Sequence, residues 1–318
     1  MKRIGNLFNE IISPENLRAA ELKARKGKTE QYGVKVFDRD PEAKLLHLHD
    51  ILLNKTYRTS DYKTFLIYEP KEREIFALPY YPDRIVHHAI MNVLEKYFMQ
   101  VFTADTYSCV KGKGIHGAFY SLRNALRNAG ATQNCLKLDI TKFYPNVDHD
   151  ILKALLRRKF KDADLLWLLD EIIDSSPGLP IGNYLSQFLA NFYLTYFDHW
   201  LKEEQKVANY FRYADDIVIL HSSKEELHRL LAEMRSYLAV NLKLSIKPNY
   251  QVFPVAARGI DFVGYKFYHT HTLVRKSIKQ RFFRMMASNK NFGSMASYKG
   301  WFDHANCNNI KAKANEKI

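Results

Sequence analysis

Three carboxylates stand at the ends of strand-like runs. Asp139 closes CLKLDI, in which Leu136 and Leu138 alternate with Lys137 and Asp139. Asp215 and Asp216 sit inside NYFRYADDIVIL, between Tyr210 and Phe211 on one side and Ile217, Val218, Ile219 and Leu220 on the other. β-Branched and aromatic residues in such runs favour strands. A carboxylate there must be solvated, paired or bound to a cation, because an unpaired buried charge is costly. An inert turn accounts for Ala214-Asp215-Asp216 taken alone, since Asp is common in turns. An acid on a second strand changes that reading. Two strands of one sheet, each with an acid near its end, bring like charges together, and these repel strongly. Mg²⁺ relieves the repulsion, since it binds through one or two carboxylates plus substrate phosphates. Two such ions about 3.5–4 Å apart make a phosphoryl-transfer centre that activates an attacking hydroxyl and stabilises a leaving pyrophosphate.

The elements that must carry these acids follow from periodicity. Residues 14–28 and 41–54 are expected to be helical, the first of them basic. TFLIYEPKEREIFALPYYP reads as two strands around the turn Glu69-Pro70-Lys71-Glu72. DRIVHHAIMNVLEKYFMQVF has helical spacing, with Asp83 near its start. KGKGIHGAFYSLRNALRN is a loop punctuated by Gly that runs into a helix, and NCLKLDITKFYPNVDHDILKALLRRKF is strand, turn and helix. LPIGNYLSQFLANFYLTYFDHWLKEE is a turn into a long amphipathic helix, with Leu185, Phe188, Leu189, Phe192, Tyr196 and Trp200 on its stripe. NYFRYADDIVILHSS reads as a hairpin, and Ser223 followed by Glu226 opens the next helix with a capping box. IDFVGYKFY adds a short strand pair. The order implies an α+β sheet with helices on one face.

Bulk composition narrows the partner. The chain has 318 residues, 47% of them hydrophobic, and a net charge of +14. Such a balance points to a polyanion, nucleic acid before membrane. Residues 265–318 hold 11 Lys/Arg against 2 acids, interleaved with Phe267, Tyr268, Phe282, Phe283, Tyr298 and Trp301. Interleaved aromatics favour a folded surface facing nucleic acid over a solubilising tail. Cys109, Cys135 and Cys307 are sparse and form no C-x-x-C pair, which fits a reducing compartment. The N-terminal MKRIGNLFNEII lacks the apolar core of a secretion signal. The longest uncharged stretch, 175–197, is broken by Pro177, Gly178, Pro180 and Gly182 and makes a poor membrane span. A soluble, cytoplasmic protein is expected, with no membrane partner.

DITKFYPNVDH, LPIGNYLSQ, YADD and FVGYKF occur in the order and spacing of the reverse transcriptase palm, and REIFALPYYPDRIVHHAI resembles prokaryotic fingers. The resemblance spans nearly the whole chain. It implies a right-hand polymerase fold: N-terminal helices and fingers over 1–130, palm over 131–262 with some fingers elements interleaved around 150–178, and primer grip and short basic helical thumb over 263–318. IGNYLSQ at 181–187 replaces the usual QGxxxSP block. Together with DRIVHHAI, TYSCVKGKGIHGA and SYKGWFDHAN it resembles the reverse transcriptases of diversity-generating retroelements. That family copies a template-repeat RNA into cDNA, misreads adenines, and diversifies a variable repeat in a target gene (mutagenic retrohoming). The implied partners are template RNA, primer and cDNA, dNTPs and a small basic accessory protein oligomer. Two Mg²⁺ ions are the implied cofactors, with Mn²⁺ a possible substitute.

The resemblance also implies roles. Asp139, Asp215 and Asp216 are the catalytic acids and metal ligands, with the carbonyl of Ile140 an added ligand. Tyr144, five residues after Asp139, matches the aromatic gate that excludes a ribose 2′-hydroxyl. The N–H groups of Lys142 and Phe143 face the triphosphate, as donors do in anion-binding turns. Lys71 and Arg73 lie where fingers cations clamp it, with Arg84 the alternative. Ile181 stands where most relatives carry Gln. Losing that hydrogen bond removes about 1 kcal/mol of discrimination, several-fold in error rate, so Ile181 contributes to misreading without accounting for all of it. Gly182 lets backbone approach the nascent pair closely. The family's lysine just after this block's proline is replaced here by Tyr250 and Gln251, which leaves Lys247, or else Lys243, as the candidate that protonates pyrophosphate. Phe262, Val263, Gly264 and Tyr265 match the primer grip. Two rival readings stay open: a retron or phage-defence reverse transcriptase, and an idle RNA-binding scaffold with a polymerase fold. The first lacks the IGNYLSQ form, and the second has no use for three acids.

Overall fold

The computed structural model describes residues 3–68, 72–287, 292–308 and 310. The chain divides into two compact units, each built from separated stretches. One gathers 1–103, 141–199 and 237–244, and the other gathers 104–140, 200–236 and 245–318. These units cut across the three-part division read from the sequence.

The first unit is mainly helical. Its long helices are Pro14–Ala24, Pro41–Leu53, Ile85–Met99, His149–Lys159, Ala163–Ile173 and Tyr184–His199. Ser13 and Asp40 cap the first two through their side chains, and proline opens both. A fixed φ suits proline there, and the N–H it lacks would have no partner in the first turn anyway. Ile85–Met99 is buried on several sides and packs against Pro14–Ala24 and Tyr184–His199. Phe98 meets Phe192 edge to face at 5.3 Å, a favoured aromatic geometry. Strands β1 (Lys63–Ile67) and β2 (Arg73–Ala77) form an antiparallel pair. Lys71, between them in sequence, lies outside the described residues.

The second unit holds two antiparallel sheets. One has the order β4-β5-β3-β6, with β3 at Asn134–Asp139, β4 at Asn209–Tyr213, β5 at Asp216–His221 and β6 at Gln251–Pro254. The other is β7 (Ile260–Phe262), β8 (Tyr265–Phe267) and β9 (Thr272–Val274). The helices Gly114–Ala125, Lys276–Ala287 and Phe292–Asp303 also lie in this unit. One apolar cluster joins them, and Phe119, Leu122, Val218, Phe262, Tyr265, Phe282 and Phe302 are among its buried members. The hairpin expected at NYFRYADDIVIL forms, with Tyr213 opposite Asp216 and Ala214-Asp215 as its two-residue loop. Ser223 caps the next helix through the N–H of Glu226 at 3.0 Å. The Glu226 side chain turns to Arg229. Among the described residues no helix is long and apolar enough to cross a membrane.

Candidate active site

β3 and β5 pair so that Asp139 lies directly opposite Asp216. Asp215, one residue earlier in the tight turn, places its carboxyl against that of Asp139. Burial and the neighbouring Asp139 charge push the Asp215 carboxyl up to about 6, while Lys247 pulls the other way. Asp216 is also raised, by burial first, and Lys137 opposes the rise. Lys137 donates to both oxygens of Asp216 at 2.7 and 3.0 Å. Since 137 and 216 are diagonal neighbours across the pair, their side chains share one face. Lys247 donates to Asp139 Oδ1 at 2.7 Å, and its N–H reaches the Asp139 carbonyl at 2.9 Å. Each strand-end acid therefore has one ammonium beside it.

The three expected acids divide two and one. Asp139 and Asp215 meet, while Asp216 is held by Lys137. Among the described residues no three His, Cys, Asp or Glu side chains form a metal-holding group. Two mutually repelling carboxylates still fit Mg²⁺, whose protein ligands are commonly one or two carboxylates with phosphate and water completing the shell. The Ile140 side chain is fully buried, and its backbone bridges Ile246.

Arg212 was not singled out from sequence. It is fully buried, and it donates to the Ala214 carbonyl at 3.1 Å and to Thr106 Oγ1 at 3.2 Å. Its own N–H bonds the carbonyl of Asp105, and its carbonyl accepts from Tyr107. Ala214 has φ +56°, which an L-residue adopts at a cost of order 1 kcal/mol. Arg212 thus clamps the strained residue that aims Asp215. The available signal was a charge inside an apolar strand, NYFRY.

The residues expected to form the primer grip make the β7-β8 hairpin, with Phe262 opposite Tyr265. Lys137 Nζ lies 5.7 Å from the centre of the Phe262 ring. The hairpin is thereby tied to the four-stranded sheet through the lysine that holds Asp216.

The remaining candidates lie in the first unit. Lys142 has φ +41° and Phe143 follows in right-handed helical geometry. Such a succession turns neighbouring N–H groups toward one side and makes anion-binding concavities. Phe143 is buried, while Tyr144 is half-buried. The Tyr144 carbonyl accepts from Leu179 N–H at 2.8 Å. A Cβ on Gly178 would meet the Tyr144 and Pro145 carbonyl oxygens at 2.5 Å. The turn carrying Tyr144 and the loop leading to Ile181 are therefore welded together. Ile181 is half-exposed, and its carbonyl accepts from Phe76 N–H of β2 at 2.8 Å. Gly182 turns its bare face to that strand, where a Cβ would come within 2.9 Å of Ile75 Cγ2 and 3.1 Å of the Phe76 oxygen. Close approach to β2 thus accounts for this glycine. Arg73 is exposed at the start of β2, whereas Arg84 is tied to the Leu78 carbonyl at 3.2 Å. Lys243 bonds Asp148 at 2.6 Å.

An antiparallel sheet that presents paired carboxylates at a strand end and a tight hairpin defines a nucleotidyl-transfer class of the polymerase type. The chain belongs to the reverse transcriptase (RNA-dependent DNA polymerase) family, whose pattern matches residues 69–267, more than half its length. It is 24% identical to protein YkfC of Escherichia coli over 277 residues, covering 72% of this chain and 71% of that protein. It is 20% identical to the group II intron-encoded protein LtrA of Lactococcus lactis over 299 residues, covering 70% of this chain and 49% of LtrA. Nuclear intron maturase 4 of Arabidopsis thaliana is 27% identical over 215 residues, with 62% of this chain and 25% of the maturase covered. The chain thus spans half or less of the last two relatives. Among solved structures, apo telomerase from Candida tropicalis superposes with a TM-score of 0.52 at 12% identity, covering 76% of this chain and 51% of that one. That likeness shows the polymerase fold.

Proposed function

We propose that this reverse transcriptase is an error-prone RNA-dependent DNA polymerase of a diversity-generating retroelement, which copies a template-repeat RNA into adenine-mutagenised cDNA. The observation carrying the polymerase reading is the meeting of the Asp139 and Asp215 carboxyls across the β3-β5 pair. In the reaction, the primer 3′-hydroxyl gives up its proton to solvent and its oxygen forms a bond to the α-phosphorus of a dNTP. The bridging α–β P–O bond breaks, and pyrophosphate leaves. Asp139 and Asp215 would hold two Mg²⁺ ions, with Mn²⁺ a substitute, and the ions would lower the cost of charge developing on the attacking and leaving oxygens. Lys247 balances the charge of Asp139, and Lys137 keeps Asp216 oriented beside it. Tyr144 excludes the 2′-hydroxyl. The N–H groups of Lys142 and Phe143, with Arg73, receive the triphosphate.

The retroelement reading is supported by Ile181 and its surroundings. A half-exposed isoleucine, its backbone bound to β2, offers the nascent pair shape without a hydrogen-bonding side chain. The small basic accessory oligomer remains the proposed protein partner. This chain carries +14 itself, so the two would meet through shared RNA, whose phosphates neutralise both.

Primer extension on the cognate template-repeat RNA with Mg²⁺, followed by cDNA sequencing, tests the proposal. Substitutions should concentrate opposite template adenines. An even spread over all four bases rejects the retroelement reading, and no extension with any primer or partner rejects the polymerase reading.

A further inference from the structure

The hairpin loop Val263-Gly264 has φ +41° and +87°. Positive φ at both central residues is the mark of a type I′ turn, for which Asn-Gly is the preferred pair. A β-branched residue at positive φ is a genuine outlier. Strain of that kind persists only where surrounding structure enforces it, and it gathers at functional sites.

The enforcing group comes from SYKGWFDHAN, a block the catalytic reading leaves unused. A Cβ on Gly264 would lie 2.3 and 2.6 Å from two carbons of the Trp301 indole, and 3.2 Å from Ile278 Cδ1. The indole therefore rests directly on the bare face of Gly264. Tyr265 Oη donates to the Trp301 carbonyl at 3.1 Å, and the two rings lie 5.2 Å apart. The segment after Trp301 is anchored in turn: Thr272 N–H reaches Asn306 Oδ1 at 3.0 Å, and Asn306 N–H reaches the Thr272 carbonyl at 2.8 Å. Arg275 N–H also holds the Gly264 carbonyl at 2.9 Å.

We infer that Trp301 is a positioning residue for the primer: it holds Val263-Gly264 in the strained turn that presents the primer grip. This rests on reading Phe262–Tyr265 as that grip. Trp301 touches no reacting atom, so its loss weakens primer binding and leaves the chemical step and dNTP affinity in place.

The test is a cycle between Trp301→Ala and Val263→Asn in the full chain. Asparagine enters the left-handed region readily, so it holds the turn without the indole. Whatever the valine side chain itself contributes is missing equally from both proteins that carry V263N. Affinity for a fluorescent DNA primer annealed to RNA is read by anisotropy without dNTP, and urea unfolding is read without nucleic acid. W301A should weaken primer binding about tenfold in the native background and less than about threefold beside V263N. Trp301→Phe should fall between, and it carries the test if W301A does not fold. Gly264→Ala should also weaken primer binding, and W301A should partly relieve it by removing the clash. Equal penalties in both backgrounds overturn the inference, as does a fall in kcat with primer affinity unchanged. Coupling in urea with primer affinity unmoved by all four substitutions overturns the primer-grip reading instead.

Discussion

Asp215→Asn should make the metal-free protein more stable while abolishing its polymerase activity. The Asp215 carboxyl rises from the ordinary 3.8 to about 6, through burial first and then the adjacent Asp139. A carboxyl whose folded pKa is raised binds its proton more tightly folded than unfolded. The contribution of this carboxyl to stability is therefore fully present below about pH 4, declines as pH rises through the window from 3.8 to about 6, and stays lost above it. That rise corresponds to roughly 3 kcal/mol at most, and partial exposure and screening bring it to about 1–3 kcal/mol. The Asn side chain is neutral throughout, so the advantage of D215N over the native chain should be near zero at pH 4 and complete by pH 8. In chelator, the expected gain at pH 8 is a few degrees in Tm or a matching shift of the urea midpoint. Mg²⁺ at tenfold over its Kd should return about 1.4 kcal/mol to the native chain and much less to D215N. Paired melts at pH 4 and pH 8, with chelator and with Mg²⁺, check every arm. If D215N gains as much at pH 4 as at pH 8, the carboxyls do not repel as described. Equal Mg²⁺ stabilisation of both proteins would place the ion elsewhere.

Three other substitutions probe the neighbouring parts. Arg212→Lys cannot span both the Ala214 carbonyl and Thr106 Oγ1 from one ammonium, and should cost roughly 2 kcal/mol in urea unfolding; an unchanged midpoint would remove Arg212 from the clamp. Tyr144→Ala should raise ribonucleotide incorporation relative to dNTP at least about tenfold in single-nucleotide extension, the loss of a steric exclusion worth about 1.4 kcal/mol or more; unaltered discrimination would leave Tyr144 bracing the Gly178–Leu179 loop only. Ile181→Gln should lower errors opposite adenine several-fold by restoring a hydrogen bond worth about 1 kcal/mol, and an identical error spectrum would return Ile181 to packing.

Much of the fold is written locally. Alternating apolar residues around Asp139 and around the Asp215-Asp216 pair announce strands, and the helices Pro14–Ala24, Pro41–Leu53, Ile85–Met99 and Tyr184–His199 follow from their apolar spacing and caps. These signals lie within one or two turns of chain, where backbone geometry alone decides which side chains share a face. Which acid meets which base is of another kind. Lys137 lies 79 positions from Asp216, and Lys247 lies 108 from Asp139. Those pairings exist because β3, β5 and the segment before β6 take one register, and a slip of one residue would turn every side chain to the opposite face. The sequence placed three acids near strand ends; only the sheet brought Asp139 to Asp215 and gave Asp216 to Lys137. It marked Gly182 as a place of close backbone approach, but only packing shows that this glycine yields to β2 and that Gly264 yields to the Trp301 indole. Arg212 stayed hidden because burial of a charge depends on the far segment that covers it. Periodicity is a property of neighbours along the chain, whereas partnership depends on how distant segments share a sheet and a core.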